Sequence, residues 1–262
     1  MAITAAQVKE LRERTGIGMM ECKKALEVSN GDMELAIEEL RKKGLAKATK
    51  KADRDTAEGW IMIESTWDKA YVVSVACETD FLAISDKFKG MLTTIIAYLK
   101  ENWADSKEAA QTMINTDFAL ELGENLKLRE YKVVEGAKVW AYVHSNAKVA
   151  AVVVGNSSDL EEEKLKQVAM HVTASSPEYL SPDDISEEVV EKEKSIQLEI
   201  MKNDPKMGNK SDDILLKIIW GKIGKFKNEI SLLEQAFVIN PDQKVKDFIG
   251  ADALASFEKI TV

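Results

Sequence analysis

The stretch "WIMIESTWDKAYVVSVACETDF", residues 60–81, decides the fold because a similar stretch returns further along the chain. The second copy, "WAYVHSNAKVAAVVVGNSSDL", occupies residues 140–160. Each copy has a tryptophan, alternating apolar residues, a polar turn, a lysine, a valine-rich run, and a polar end in which Asp precedes an apolar residue. Alternation around a central turn predicts a β-hairpin. Two such copies predict two related subdomains; the alternative is chance similarity between unrelated hairpins.

A helical pattern follows each copy, at residues 87–102 and 161–174, and strand signals return at residues 127–134. Hairpins that alternate with helices are typical of the α+β class. We therefore predict a first core subdomain at residues 56–136 and a second core subdomain at residues 137–262.

The first 55 residues predict a separate domain of three short helices plus a linker. The third helix is expected to start after Asp32, which has the side chain of an N-cap residue, and to end near Gly44. The segment after it, residues 41–54, holds seven basic residues and is interpreted as a helical or flexible linker.

A second long helical pattern covers residues 185–233 and predicts an antiparallel helical hairpin with its turn at residues 203–213. Strand signals resume at Phe237. The hairpin is therefore expected to be an insertion in the second core subdomain. Whether it pairs with a second copy of the chain, forming a homodimer, is left open by the residues.

The composition disfavours several partner classes. The net charge is −9, whereas neutralising nucleic-acid phosphates requires clustered Lys and Arg. The basic residues 41–54 and the acidic residues 183–199 are most simply the solvated faces of helices. No apolar run approaches the roughly 18 residues of a membrane helix. Two cysteines far apart favour a reducing compartment, so we expect a cytoplasmic protein.

The chemistry-bearing residues do not form an enzyme signature. The glycines of "TGIGMM" (residues 15–20) and "GKIGK" (residues 221–225) lack the spacing of a phosphate-binding loop. The two histidines, His144 and His171, are not at metal-ligand spacing. Cys77 is a candidate nucleophile on paper, but it ends an apolar strand and is interpreted as a buried small residue. We expect no nucleotide, metal or other cofactor.

Apolar residues in polar surroundings are the remaining candidates. Phe81 follows Glu78, Thr79 and Asp80 where a strand ends. Its ring either folds back on the sheet or projects as an interface anchor. The pair Met19-Met20 starts a helix, where adjacent residues point in different directions. We expect one of the pair to be exposed, the alternative being that both cover the small core.

In these stretches the sequence resembles the bacterial elongation factor Ts family, the guanine-nucleotide exchange factors of elongation factor Tu. The resemblance spans nearly the whole chain, in the family's order, and rests on "LRERTGIGMMECKKAL", "ETDFLA", "LGENLKLRE", "YVHSNAK", "AMHVTASSPEYL" and "SLLEQAFV". It implies an N-terminal three-helix domain of the ubiquitin-associated type, a core of two similar subdomains and a coiled-coil hairpin.

The resemblance also implies roles for individual residues. The Thr-Asp-Phe tip would contact the nucleotide-binding domain of elongation factor Tu, with Phe81 wedged between partner helices so that the magnesium site is disturbed. Thr79, Asp80 and Leu82 would belong to the same segment. The other partner-binding positions that it implies are Leu122, Gly123 and His144 in the core, and Arg12, Met19 and Met20 in the N-terminal domain.

The sequence departs from the family pattern at two of these motifs, and it also leaves two other functions open. The family's Val-Ala-Arg/Lys-Asn after the tip is replaced by "LAIS" (residues 82–85), and two glycines after His144 are replaced by Asn146 and Ala147. The alternatives to nucleotide exchange are an adaptor that binds a ubiquitin-like or other helical partner through Met19-Met20, and a hydrolase that uses Cys77.

Overall fold

The computed structural model describes residues 3–102, 106–204 and 212–262. It combines helices with antiparallel strands, which confirms the predicted α+β class. The chain forms two compact units. The first contains the chain up to Glu135 together with Val143–Ala150 and Ile260–Val262, and the second contains Gly136–Tyr142 and Ala151–Lys259.

The first unit begins with three helices, which are α1 (Ala5–Thr15), α2 (Met19–Val28) and α3 (Met33–Lys51). The side chains of Thr4 and Asp32 accept backbone hydrogen bonds at the starts of α1 and α3. Gly16 ends α1 at φ +66°, a left-handed conformation that glycine adopts without strain. The helices enclose a small apolar core that includes Leu11, Cys22, Leu26, Leu40 and, from later in the chain, Leu120.

The predicted helix end near Gly44 is wrong, because α3 continues to Lys51. A Cβ atom at Gly44 would lie 2.8 Å from the carbonyl oxygen of Thr116 and 2.9 Å from that of Asn115. The glycine therefore permits the close approach of two backbones and does not stop the helix. The basic residues up to Lys51 consequently belong to a helix.

A three-stranded antiparallel sheet follows, with the order β1 (Glu58–Ser65), β2 (Lys69–Cys77) and β3 (Lys127–Glu135). Between β2 and β3 lie the one-turn helix α4 (Asp80–Ala83), α5 (Asp86–Glu101), α6 (Lys107–Met113), a π-helical turn (Ile114–Phe118) and α7 (Ala119–Leu122). Helix α5 packs on the sheet through fully buried side chains, which include Phe88, Met91, Leu92, Ile95 and Ile96. Strands and helix thus form one two-layer core.

The second sheet has the order β4 (Lys138–Val143), β5 (Val149–Gly155) and β8 (Leu254–Thr261). The elements between β5 and β8 include α8 (Glu162–Ser175), α9 (Glu187–Asn203), α10 (Asp212–Ile230), β6 (Ala236–Phe237), β7 (Asn240–Lys244) and α11 (Val245–Ile249). In both sheets a hairpin is followed by a long helix and then by a third strand, which lies beside the second strand of the hairpin. The two halves of the core thus share one connectivity.

Helices α9 and α10 pack on each other through Met201 of α9 and Leu215, Ile219 and Ile223 of α10. The amide of Glu178, before α9, donates to the carbonyl oxygen of Ile230, where α10 ends. The segments that enter and leave the pair therefore lie together, as in a hairpin. Most of the predicted turn, residues 205–211, lies outside the described residues.

His171 of α8 is fully buried in the second unit, and both of its ring nitrogens have partners. The amide of Val238 donates to Nδ1 over 3.2 Å, so the ring proton of the neutral imidazole is on Nε2, which donates to Gln235 Oε1 over 2.8 Å. Burial disfavours the charged ring and lowers the pKa of His171 below its ordinary value. Protonation would replace the acceptor at Nδ1 by a donor facing an amide.

We expect the urea midpoint of unfolding to fall as the pH is lowered from about 7.5 to about 5.5, because the unfolded chain takes up a proton on His171 below about pH 6.5, whereas the lowered pKa of the buried ring delays this protonation in the folded chain to lower pH. The stability that this histidine contributes is complete above that pH. A His171→Gln variant should lose part of the decrease. Equal pH profiles for the wild type and His171→Gln would contradict the assignment.

Candidate functional site

The candidate tip lies where β2 ends and the single turn of α4 begins. Thr79 is the N-cap of this turn, because its Oγ1 accepts a hydrogen bond from the amide of Leu82 over 3.3 Å. Asp80 Oδ1 accepts from the amide of Phe81 over 2.9 Å. The turn is therefore closed by its own short polar side chains, and Phe81 sits on it between two fixed neighbours.

Phe81 projects from the tip, with 79% of its surface exposed. Its neighbours behave differently, because Ala83 is buried and Leu82 packs partly against the core below the sheet. Of the two alternatives left by the sequence, the structure therefore selects the projecting ring. An exposed aromatic on an anchored turn is the arrangement of an interface anchor.

Ile84 is a second exposed apolar residue at the tip, with 60% of its surface exposed. It lies three residues after Phe81, a spacing that places two side chains on the same face of a helical turn. It is the third residue of "LAIS" (residues 82–85), at the position where the resemblance implies a basic residue. The signal that would have found it is this i, i+3 spacing from Phe81.

Glu124, which the sequence analysis did not single out, ties the tip to the loop after α7. Its Oε2 accepts from the amides of Glu78 and Thr79 over 2.8 and 2.9 Å, and its Oε1 accepts from Thr79 Oγ1 over 2.5 Å. Glu78 Oε1 in turn accepts from the amide of Asn125 over 2.7 Å. That bond, helped by the Arg54 guanidinium, lowers the pKa of the Glu78 carboxyl.

Of the core positions, Leu122 and Gly123 directly precede Glu124 at this end of the first sheet, whereas His144 belongs to a turn that is bonded to β1 at Ile61. Leu122 packs partly on the core of the sheet, and Gly123 ends α7 at φ +77° directly before Glu124. His144 starts a tight turn in which the carbonyl oxygen of Ala147 accepts from the amide of Ile61 on β1. The same end of β1 carries Glu58, which is paired with Cys77 across the strands.

The turn after His144 keeps a glycine-type backbone without a glycine. Ala147 has φ +52°, a left-handed conformation that is costly for a residue with a Cβ atom. The amide of Ala147 donates to the carbonyl oxygen of His144 over 2.7 Å, and the residue is buried. The replacement of glycine by Ala147 is therefore accommodated in the turn, with some strain.

Met19 and Met20 are both exposed, with 52% and 66% of their surfaces accessible. The expected exposure of one of the pair thus extends to both, and the alternative that both cover the small core is wrong. They border an apolar groove of about 270 Å3 that is also lined by Ile3, Thr4, Ala5, Val8 and Lys23. Arg12 on α1 is exposed as well. The groove suits an apolar side chain from a partner.

Cys77 does not have the properties of a nucleophile. Its thiol is fully buried, donates to the carbonyl oxygen of Thr79 over 3.3 Å, and has a pKa that burial raises to about 12. A thiol with that pKa carries almost no thiolate at neutral pH. The described residues include no group of three His, Cys, Asp or Glu side chains able to hold a metal ion. None of their helices combines the length and apolar character needed to cross a membrane.

The structure presents an exposed aromatic side chain on a turn at the end of a sheet, an arrangement typical of proteins that act by binding a partner. The family model described as "Elongation factor TS" matches residues 78–262. Curated relatives named elongation factor Ts include those of Shewanella oneidensis, 43% identical over 256 residues, and Histophilus somni, 44% identical over 250 residues. The alignments cover 95% and 94% of this chain and 86% of each relative. The chain belongs to the elongation factor Ts family, whose members are nucleotide-exchange factors and not catalytic enzymes.

We expect Phe81→Ala to leave the fold intact, because substitution of an exposed side chain usually changes stability by less than about 0.5 kcal/mol. The matched substitution in the core, Phe88→Ala, should cost about 3–5 kcal/mol. Urea unfolding followed by circular dichroism measures both. A Phe81→Ala variant as unstable as Phe88→Ala would show that the ring is part of the core.

Proposed function

We propose that this chain accelerates GDP release from elongation factor Tu by inserting the tip Thr79-Asp80-Phe81 into the GTPase domain. Family membership supports a translation elongation factor with that partner. The observation that carries the finer proposal is the Phe81 ring, which is 79% exposed on a turn held by its own caps. The ring enters between partner helices and displaces groups around the magnesium ion and the phosphates.

The remaining tip residues support the wedge. Thr79 and Asp80 fix the turn through their side chains, so that the ring is presented in one direction. Leu82 is partly buried beneath the turn and anchors it to the core of the sheet. The chain itself needs no nucleotide site, since it works by binding the empty GTPase more tightly than the loaded one.

The wedge needs additional binding surfaces. Shifting an equilibrium from 1:99 to 99:1 takes about 5.5 kcal/mol of differential binding, whereas burying one phenylalanine supplies about 1.5–3 kcal/mol. We assign the rest to Leu122, Gly123 and His144 in the core, and to Arg12, Met19 and Met20 on the helical domain. All of these except Leu122, which is half-buried, are exposed.

A second candidate function rests on the groove beside Met19 and Met20. Exposed methionines adapt to varied apolar partners, and a three-helix domain of the ubiquitin-associated type would use this face to bind a ubiquitin-like or other helical partner. In that case the domain acts as an adaptor, and its groove contributes nothing to GDP release.

Two further proposals concern the state of the protein in the cell. A cytoplasmic location is supported by two free, buried cysteines, Cys22 and Cys77, which suit a reducing compartment. A homodimer through α9 and α10 is supported by exposed apolar side chains on this pair of helices, which are Ile196, Ile200, Ile214, Leu216 and Trp220. Gel filtration compares the purified wild-type chain with an Ile200→Lys variant. The wild type should elute as a dimer and the variant as a monomer if this surface forms the interface.

The central experiment measures release of a fluorescent GDP analogue from elongation factor Tu by stopped flow. The wild-type chain should accelerate release, and Phe81→Ala should lose about 10- to 100-fold of that effect, since it removes about 1.5–3 kcal/mol of burial. Trp67→Ala is the matched control, because Trp67 is an aromatic residue, 65% exposed, in the turn at the other end of the same hairpin. No acceleration by the wild type, or equal losses in both variants, would refute the proposal.

The same assay separates the two roles of the methionine groove. If Met19 and Met20 contact elongation factor Tu, Met19→Ser/Met20→Ser should raise the half-saturating concentration about tenfold or more with little change in the maximal rate, because it removes binding common to all states. Val28→Ser on the same helix, where Val28 is 69% exposed, is the control. A double variant with unchanged kinetics would favour the adaptor.

A further inference from the structure

We propose that Glu124 is a positioning residue for the tip: its carboxylate holds the backbone of Glu78 and Thr79, and thereby fixes the direction in which Phe81 projects. The proposal rests on the proposed function of the tip. It assigns to the loop after α7 a role within the chain, in addition to any contact that Leu122 and Gly123 make with a partner.

The hydrogen-bond ladders of the sheet end just before the tip. The last residue of β2 paired with β1 is Cys77, and the last one paired with β3 is Ala76. The amides of Glu78 and Thr79 therefore lie beyond the ladders and require another acceptor. Glu124 Oε2 accepts from both, over 2.8 and 2.9 Å, in place of a neighbouring strand.

The carboxylate also controls the cap of α4. Glu124 Oε1 accepts from Thr79 Oγ1 over 2.5 Å, which directs the hydroxyl proton toward the carboxylate and leaves an oxygen lone pair for the amide of Leu82. Hydrogen bonds to an ionised acceptor are about twice as strong as neutral ones. One side chain thus orders two amides and the cap.

The two neighbours of Glu124 in the sequence, Gly123 and Asn125, are fixed by hydrogen bonds of their own. Asn125 is buried and donates through its side chain to the carbonyl oxygens of Ala52 and Arg54, over 3.3 and 2.8 Å. The ammonium group of Lys51 donates to the carbonyl oxygen of Gly123. These bonds connect the loop after α7 to the end of α3. The Glu124 carboxylate, which accepts the hydrogen bonds of the tip, therefore lies in a loop that is fixed to another element; this loop, with its bonds to α3, is the frame of the tip.

Glu78 and Glu124 form a reciprocal pair. The Glu124 carboxylate accepts from the backbone of Glu78, and the Glu78 carboxylate accepts from the backbone of the residue after Glu124. Such a pair fixes the spacing of two chain segments that are more than forty residues apart in sequence. A single helical turn is not stable by itself, so the frame supplies the order that α4 lacks. Binding then costs less conformational entropy at Phe81.

The experiment compares Glu124→Ala and Glu124→Gln in the full chain, with Glu135→Ala as the control. Glu135 is also a carboxylate of the first unit, but it pairs with Lys69 at the opposite end of β2. Gln keeps one oxygen for the two amides and offers an N–H to Thr79 Oγ1, so it should rescue most of the effect. Hydrogen exchange of the amides at positions 78, 79 and 82 is measured together with the maximal rate of GDP release.

We expect Glu124→Ala to speed exchange at these amides at least about tenfold and to lower the maximal release rate about tenfold, with Glu124→Gln within about threefold of the wild type. Glu135→Ala should change neither quantity. Faster amide exchange with an unchanged release rate would overturn the positioning role. Unchanged amide exchange would show that the Glu124 carboxylate does not hold the backbone of Glu78 and Thr79. A wild-type chain that does not accelerate GDP release from elongation factor Tu would refute the proposed function alone, because amide exchange still tests whether Glu124 holds the backbone of the tip.

Discussion

The burial of the second part of strand β2, from Val72 to Cys77, is the constraint on which the site depends. Six successive residues from Val72 to Cys77 are buried, because β2 is the central strand of its sheet and α5 covers one face. A strand of this kind has one register that buries its side chains and satisfies its amides. The first residue free to leave the core is therefore set by the sheet, and the tip follows within a few residues. That register and the side chains that close the turn therefore determine the direction in which the Phe81 ring projects.

The periodic parts of the fold were predictable from the sequence because they depend on local patterns. Alternation marked β1 and β2, and the apolar spacing between Asp86 and Glu101 marked α5. Gly44 shows where local reasoning fails. Glycine is common at helix ends, which suggested that the helix stops there. In the structure Gly44 instead lies against the carbonyl groups of Asn115 and Thr116, about seventy residues later in the chain. No pattern around position 44 carries that information.

The site was predictable in part for the same reason. Phe81 attracted notice as an apolar residue among acidic ones, and the structure shows it exposed. Glu124 did not, because one carboxylate among forty-five acidic residues has no local signature. Its importance arises from three donors on a segment that is close only after folding. An exposed apolar residue is visible in a sequence when it breaks a pattern, whereas the residues that hold it in place are visible only through their contacts.

The packing of α3 has a consequence for how the chain can be divided. Leu120 of α7 completes the apolar core of the first three helices, and Gly44 lies against the backbone of the π-helical turn before it. A fragment that stops at Lys51 would lack Leu120, which would leave a cavity of about the size of a leucine side chain in the core of the three helices. It would also expose the backbone of α3 at Gly44 to solvent. The helical domain is therefore poorly suited to transplantation onto another protein as a detachable module. Grafts that carry residues 106–122 along with it would keep its interior closed.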